Sequence, residues 1–229
     1  MNLLQHHTRR GVARLLRGAR DRRDLRALGL LAPLAGEYVP WGTFALRPSA
    51  LVAVLDEIVL GRRHRVVELG GGVSTLYLGR LLRRVGGHLH TVEHDKDWAG
   101  LLEHQLDAEG LHDVVTVVHA PLARTWYGWT PDCPWYAEDE ARRAAESGPV
   151  DLLLVDGPPA WRAELRHARY PALPFFADAL APGAPVVLDD IHRRGEHDIV
   201  RRWEQQLGAR FERRYVDGGI AVGRIGAEP

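Results

Sequence analysis

Apolar residues along this chain fall in short runs separated by longer stretches that read as helical. Arg65-Val66-Val67-Glu68-Leu69 is one such run and ends in Gly70-Gly71-Gly72. His88 to Glu93, Val114 to Val118, Val150 to Asp156 and Pro185 to Asp190 are the next four. The run at 150–156 is apolar enough to be buried on both faces. Helices are expected over 74–84, with Ser74 as the cap, and over 96–108, 171–181 and 196–207. Strands alternating with helices predict βαβ units and a parallel sheet, and right-handed crossovers then put helices on both faces. Before the first strand, a loop over 33–48 rich in Pro and Gly leads into a helix near 48–60, where Pro48 suits the first turn.

The C-terminal end breaks this alternation. Phe211 to Val216 and Ile220 to Ile225 read as strands, and Asp217-Gly218-Gly219 between them is a strong hairpin signal. A parallel sheet therefore acquires an antiparallel last strand. At the other end, Val12, Leu15, Leu16 and Ala19 form one apolar stripe among arginines. Residues 1–26 hold eight Arg against Asp21 and Asp24, a charge of +6. A surface helix covering the main domain is one reading of this segment; binding of an acidic partner, RNA or a membrane surface is the other. The expected organisation is an N-terminal extension and entrance loop over 1–47 and a main domain over 48–229, with a long insertion at 121–149.

Composition narrows the class. The chain has 229 residues, 45% hydrophobic and 26% charged, which excludes a mainly disordered or fibrous protein. Lys plus Arg equals Asp plus Glu, at 30 each, so the chain as a whole is not built for nucleic acid. A single cysteine, Cys133, allows no internal disulfide. No run of 18 apolar residues is present, and the basic start lacks the apolar stretch of a signal peptide. A cytoplasmic protein without a membrane span is expected.

Candidate chemistry gathers at the strand ends. Glycines after the first strand let the backbone turn sharply and let a ligand approach it. A dinucleotide fingerprint would need glycine at 70, 72 and 75, and position 75 is Thr; no Lys follows, so a phosphate-binding P-loop is excluded too. Glu93 ends the second strand, 23 residues after Gly70, where a carboxylate can accept hydrogen bonds from both hydroxyls of a ribose.

The Glu68-Leu69-Gly70-Gly71-Gly72 turn, Glu93 and the C-terminal hairpin together resemble the class I methyltransferases that use S-adenosylmethionine. The resemblance runs from about Val66 to the hairpin. It implies a Rossmann-like, doubly wound α/β fold with strand order 3-2-1-4-5-7-6. It implies that Glu68, Gly70, Gly71, Gly72 and Glu93 bind the cofactor, that its methionine carboxylate meets N–H groups near Ser74, and that Ala120 lies beside the adenine. Asp156 completes that set.

Asp156, Asp189 and Asp190 end neighbouring strands in the implied order and are expected to converge near the transferred methyl. Two site readings stand side by side. In one, the three aspartates hold a hard cation such as Mg²⁺, in resemblance to metal-dependent sugar and catechol O-methyltransferases. In the other, no metal binds and Asp156 or His192 acts as the base. A plainer reading has Asp190 cap the following helix and His192 lie on the surface. The insertion, with Trp126, Tyr127, Trp129, Trp135 and Tyr136, reads as a lid over an organic substrate, a dimer contact or packing. Arg169-Tyr170-Pro171 is a second rim element, and Trp41-Gly42-Thr43-Phe44 either closes over the cofactor or packs in the core. The function expected is methylation of a small organic molecule, at oxygen. A methyltransferase acting on RNA or protein, and a non-catalytic cofactor-binding protein, are the alternatives. Homodimerisation is compatible with these features.

Overall fold

The computed structural model describes residues 18–208 and 210–226. Val12, Leu15 and Leu16 of the basic stripe lie outside the described residues. Residues 18–31 form helix α1. They are followed by α2 (Pro48–Gly61), β1 (Arg65–Leu69), α3 (Val73–Val85), β2 (His88–Glu93), α4 (Lys96–Ala108) and β3 (Val115–His119). Short strands β4 (Leu122–Ala123) and β5 (Trp135–Tyr136) and a brief helix α5 (Glu138–Arg142) occupy the insertion. Then come β6 (Leu152–Val155), α6 (Ala172–Phe176), β7 (Pro185–Leu188), α7 (Arg194–Leu207), β8 (Arg210–Arg214) and β9 (Ile220–Arg224).

Seven strands form one sheet in the order β3-β2-β1-β6-β7-β9-β8. With β4 and β5 set aside this is the 3-2-1-4-5-7-6 order, and β9 runs antiparallel to both β7 and β8. The fold is α/β and Rossmann-like. Alternate residues of a strand face opposite sides of a sheet, and here both sides are apolar. Val67, Leu69, Leu153, Val155, Val186 and Leu188 pack on one side with Trp135, Phe176 and Trp203. Val66, Leu152, Leu154 and Val187 pack on the other with residues of α2, α3 and α4. The continuous Leu152-Leu153-Leu154-Val155 run is buried on both faces, as a central parallel strand requires.

Two boundaries differ from expectation. Gly72 is the N-cap of α3 and Ser74 lies within its first turn. The helix expected over 171–181 is a five-residue α-helix that tightens into a 3-10 turn at Ala177–Ala179. The insertion also departs from a simple lid. Trp135 and Tyr136 are wholly buried, pairing with Leu122 and Ala123 and packing in the core. Trp129 stacks on His167 with ring centroids 3.9 Å apart, while Trp126 is 96% exposed. Aromatic content alone does not distinguish core from cover, because the same side chains serve both. Trp41 is partly buried against Tyr77 of α3.

The start of the described chain is docked rather than free. Asp24 accepts hydrogen bonds from the Ser49 backbone and hydroxyl at the first turn of α2. Arg47 pairs with Asp21 and Asp24, and Ala27 and Leu31 are buried. Among the described residues no helix is long and apolar enough to cross a membrane. Arg80 of α3 ties the same region from beneath. It is 5% exposed and donates to both oxygens of Glu109 and to the Leu34 carbonyl. Removing one partner of a buried pair strands the other, which costs about 3–5 kcal/mol. Arg80→Met is therefore expected to lower the urea midpoint with an unchanged slope; a midpoint equal to wild type would show that the pair carries no stability.

Candidate active site

Strand register builds the site. Leu69 is opposite Val92 of β2 and opposite Val155 of β6, and Val155 is opposite Leu188 of β7. One residue further along each parallel strand, Glu93, Gly70, Asp156 and Asp189 therefore form a single row along the carboxyl edge. At a strand spacing of about 4.8 Å, Glu93 and Asp156 stand roughly 10 Å apart with Gly70 between them. The row crosses the point between β1 and β6, whose onward connections lead to β2 on one side and β7 on the other, which is where open α/β sheets bind ligands.

The middle of the row has no side chain. Gly70 has φ +94°, and a Cβ there would lie 2.9 Å from the Gly157 nitrogen and 3.1 Å from the Asp156 carbonyl carbon. The two strand ends touch backbone to backbone, which only glycine allows. Gly72, by contrast, has nothing within 4 Å of the place a Cβ would occupy. Beyond it the first N–H groups of α3 have no intrahelical acceptor.

Glu68 and Ser74, both expected at the cofactor, face inward. The Ser74 and Thr75 hydroxyls each donate to a Glu68 oxygen at 2.5 Å, and the Gly72 N–H donates to the Thr75 hydroxyl at 2.9 Å. This chain of bonds locks the bend from behind. Glu68 is fully buried, and that desolvation pushes its pKa up to about 7, against the lowering effect of the Ser74, Thr75 and Thr91 hydroxyls. Thr75 was legible only as the residue that breaks a dinucleotide fingerprint; its structural work is to hold the turn.

Glu93 points at the bend. One oxygen accepts the Gly71 N–H at 3.2 Å, and the other accepts the N–H groups of His94 and Asp95 at 2.7 and 2.8 Å. Ala120 is buried beside it, its N–H donating to the Glu93 carbonyl. Trp98, in the first turn of α4, donates its indole N–H to the Gly71 carbonyl at 2.8 Å. Tyr136 reaches the row from the insertion. A Cβ on Gly157 would collide with its hydroxyl. That hydroxyl is buried and has no partner among the described residues. Burial pushes its pKa well up, and the charges of Glu93, Asp156 and Glu68 act in the same direction. Neither Trp98 nor Tyr136 carried a sequence signal beyond being aromatic.

At the far end of the row the three aspartates do come together: one oxygen from each of Asp156, Asp189 and Asp190 lies within 4.8 Å of the others. Asp190 adopts φ +61°, an uncommon conformation for a residue with a side chain. The guanidinium of Arg169 is already among them, donating to Asp156 and Asp190 at 3.1 Å each. Burial raises the Asp156 pKa to about 7 even though the Arg169 charge lowers it, and Asp189 is pushed well up for the same reason. A divalent cation would have to enter beside that guanidinium, so the donor set does not fit one in this arrangement. His192 stands half exposed with Nδ1 3.9 Å from Asp190. Burial lowers its pKa, with the charges of Arg20, Arg193 and Arg47 adding to that effect and Asp190 opposing it. Asp190 does not cap α7, whose N-cap is Arg193.

A bare backbone bend at the switch point, flanked by strand-end carboxylates on a 3-2-1-4-5-7-6 sheet, defines a methyltransferase-type site. Residues 67–191 match the family described as a methyltransferase domain, more than half of the chain, and the protein belongs to that family. The fold is similar to that of an O-methyltransferase from Bacillus cereus solved in complex with SAH, with a TM-score of 0.58 at 16% identity, covering 89% of this chain and 90% of that one. It is similar to an SAH-bound methyltransferase from Podospora anserina at 0.58 and 13%, covering 96% and 95%. It is also similar to the O-methyltransferase of Streptomyces achromogenes involved in tomaymycin synthesis, solved with SAM, at 0.55 and 16%, covering 90% of each chain. No curated protein sequence matches it. At these identities the likeness to solved structures is one of fold.

The Glu68 bond network yields a pH signature. With a folded pKa near 7 against an ordinary 4.5, Glu68 is protonated in the fold and ionised in the unfolded chain between those values. Its contribution is complete below 4.5 and is lost as pH rises to about 7. The loss is on the order of 3 kcal/mol. Glu68→Gln removes that titration. Its melting temperature is expected to fall less than wild type's between pH 5 and pH 8; parallel curves for the two proteins would contradict the assignment.

Proposed function

We propose that this methyltransferase uses S-adenosylmethionine to methylate an oxygen of a small organic molecule. The observation that carries the reading is the Glu93–Gly70–Asp156 row: a sugar-binding carboxylate, a bend open to close approach and an acid pair lie in one line over the switch point. The residues present suit the cofactor. Glu93 offers carboxylate oxygens to ribose hydroxyls. Gly70 to Gly72 expose backbone over which the methionine part lies, with its carboxylate toward the free N–H groups of α3. Ala120 borders the adenine. The orphan Tyr136 hydroxyl is a donor for which a bound ligand supplies the missing acceptor. Glu68 and Ser74 act on the cofactor through the turn they hold.

S-adenosylmethionine, when bound, supplies an electrophilic methyl carbon on a positively charged sulfur. The protein's tasks are to align an acceptor oxygen with that carbon and to take its proton. Alignment of two bound reactants accounts for about 7–11 kcal/mol in favourable systems. His192 takes the proton in this reading. It is the accessible base at the acidic end, its lowered pKa keeps it neutral, and Asp190 at 3.9 Å stabilises the imidazolium that forms. Asp156 is less suited, since its carboxylate is tied to buried Arg169. Oxygen as the acceptor atom is favoured by the O-methyltransferases among the structural neighbours.

Two variants separate binding from chemistry. Loss of a carboxylate that accepts hydrogen bonds costs about 1.5–3 kcal/mol, so Glu93→Ala is expected to weaken S-adenosylhomocysteine binding in calorimetry about 10- to 100-fold. His192→Gln is expected to keep that affinity and to lower kcat by about 10²–10⁴-fold. Unchanged affinity in the first would remove the ribose contact; unchanged kcat in the second would place the base elsewhere.

A further inference from the structure

Arg169 and Arg80 are the buried arginines among the described residues, and Arg169 is the one at the strand-end row. It enters from the loop between β6 and α6 and is 4% exposed. Its Nη2 donates to Asp156 at 3.1 Å, and its Nη1 donates to the Asp190 carboxylate at 3.1 Å and the Asp189 carbonyl at 3.4 Å. Its Nε donates to the Pro158 carbonyl at 3.3 Å. Four of the five N–H directions of the guanidinium are used, all toward the ends of two neighbouring strands. Arg193 forms an ion pair with the same Asp190 oxygen at 2.8 Å. Glu196, 1% exposed, lies with one oxygen 3.9 Å from the Arg193 guanidinium and with neither oxygen hydrogen-bonded among the described residues.

The geometry points to Arg169 as the resident cation of the three-aspartate cluster, occupying the place that a divalent ion would otherwise take. The cluster has the oxygens for an ion: Asp156, Asp189 and Asp190 are the described acids that approach one another closely enough to share one. It also has the need for positive charge, since buried carboxylates without a partner are costly. A guanidinium meets that need with fixed, planar donors and cannot lose its proton. A divalent cation placed on the same three residues would face that charge in a buried site where repulsion is weakly screened. Arg169 is therefore a positioning residue. It fixes the directions of Asp156 and Asp190 without metal, and it excludes metal by its charge. The inference takes its reaction from the function proposed above, but its cation from geometry alone.

The test reads metal binding, not methyl transfer. Mn²⁺ is titrated into the wild-type protein, Arg169→Met and Arg169→Lys, with free Mn²⁺ followed by its electron paramagnetic resonance signal. Wild type and Arg169→Lys, which keeps the charge, are expected to bind no Mn²⁺ at this cluster at millimolar concentration. Arg169→Met, apolar and of similar length, is expected to gain one bound Mn²⁺ at the concentration where wild type binds none, as its aspartates regain a cation. Asp190→Asn in that background is expected to abolish the binding. One Mn²⁺ bound to wild type and lost in Asp190→Asn would overturn the proposal, and so would a folded Arg169→Met that binds none. Should Arg169→Met not fold, the wild-type and Asp190→Asn titrations decide alone. A parallel S-adenosylhomocysteine titration keeps the two questions apart: loss of cofactor binding speaks against the proposed reaction and leaves the cation assignment where the Mn²⁺ data put it.

Discussion

Backbone contact between Gly70 and Gly157 is the constraint on which the site depends. Two parallel strands, β1 and β6, end side by side because their apolar residues pair in register, Leu69 with Val155. The chain must then leave the sheet on both sides of a narrow gap. A Cβ at Gly70 would lie 2.9 Å from the Gly157 nitrogen, closer than non-bonded atoms approach, and its positive φ would be strained as well. With that contact in place the ends of β2, β1, β6 and β7 present their next residues in one row. The row is a consequence of hydrophobic pairing in the strands, and the chemistry inherits its spacing from it.

Charge is handled differently at the two ends of the row. Around the bend, Glu68 is satisfied by hydroxyls, and Glu93 by backbone N–H groups and the His94 ring, without an arginine or lysine. At β6 and β7 the acids exceed what neutral donors can satisfy, and Arg169 with Arg193 supplies the balance. His192 lies outside this buried group and keeps access to whatever enters from solvent. The outcome is a division between a buried, paired charge cluster and one exposed imidazole beside it.

Much of this was readable in the sequence, for physical reasons. Buried parallel strands are short apolar runs, so Leu152 to Val155 and Val66 to Leu69 announced themselves, and Asp217-Gly218-Gly219 announced the hairpin that reverses the last strand. Strand order came through resemblance rather than periodicity, because pairing partners leave no local trace. Glu93 and the three aspartates were legible since strand ends are where such sheets place ligands. Arg169 was visible only as a rim residue. That it turns inward between two aspartates depends on the path of the loop after Pro158, which no spacing encodes. Tyr136 was ambiguous for a similar reason: an aromatic in a long insertion reads as a cover, a dimer contact or packing, and pairing of Leu122 with Tyr136 draws the strand into the core and leaves only the hydroxyl at the bend. Ser74 looked like a cap because its hydroxyl has the right chemistry, but Glu68 claims it first.

In the proposed function a nucleoside ligand lies across Gly70 with its sugar on Glu93. Crystals soaked with S-adenosylhomocysteine test it most directly. Electron density is expected for the ribose within hydrogen-bond distance of the Glu93 carboxylate and for the amino-acid end over Gly70 to Gly72, beside the Tyr136 hydroxyl. Density for the ligand at any other place on the chain, with Glu93 still closed on the Gly71 N–H, would contradict it.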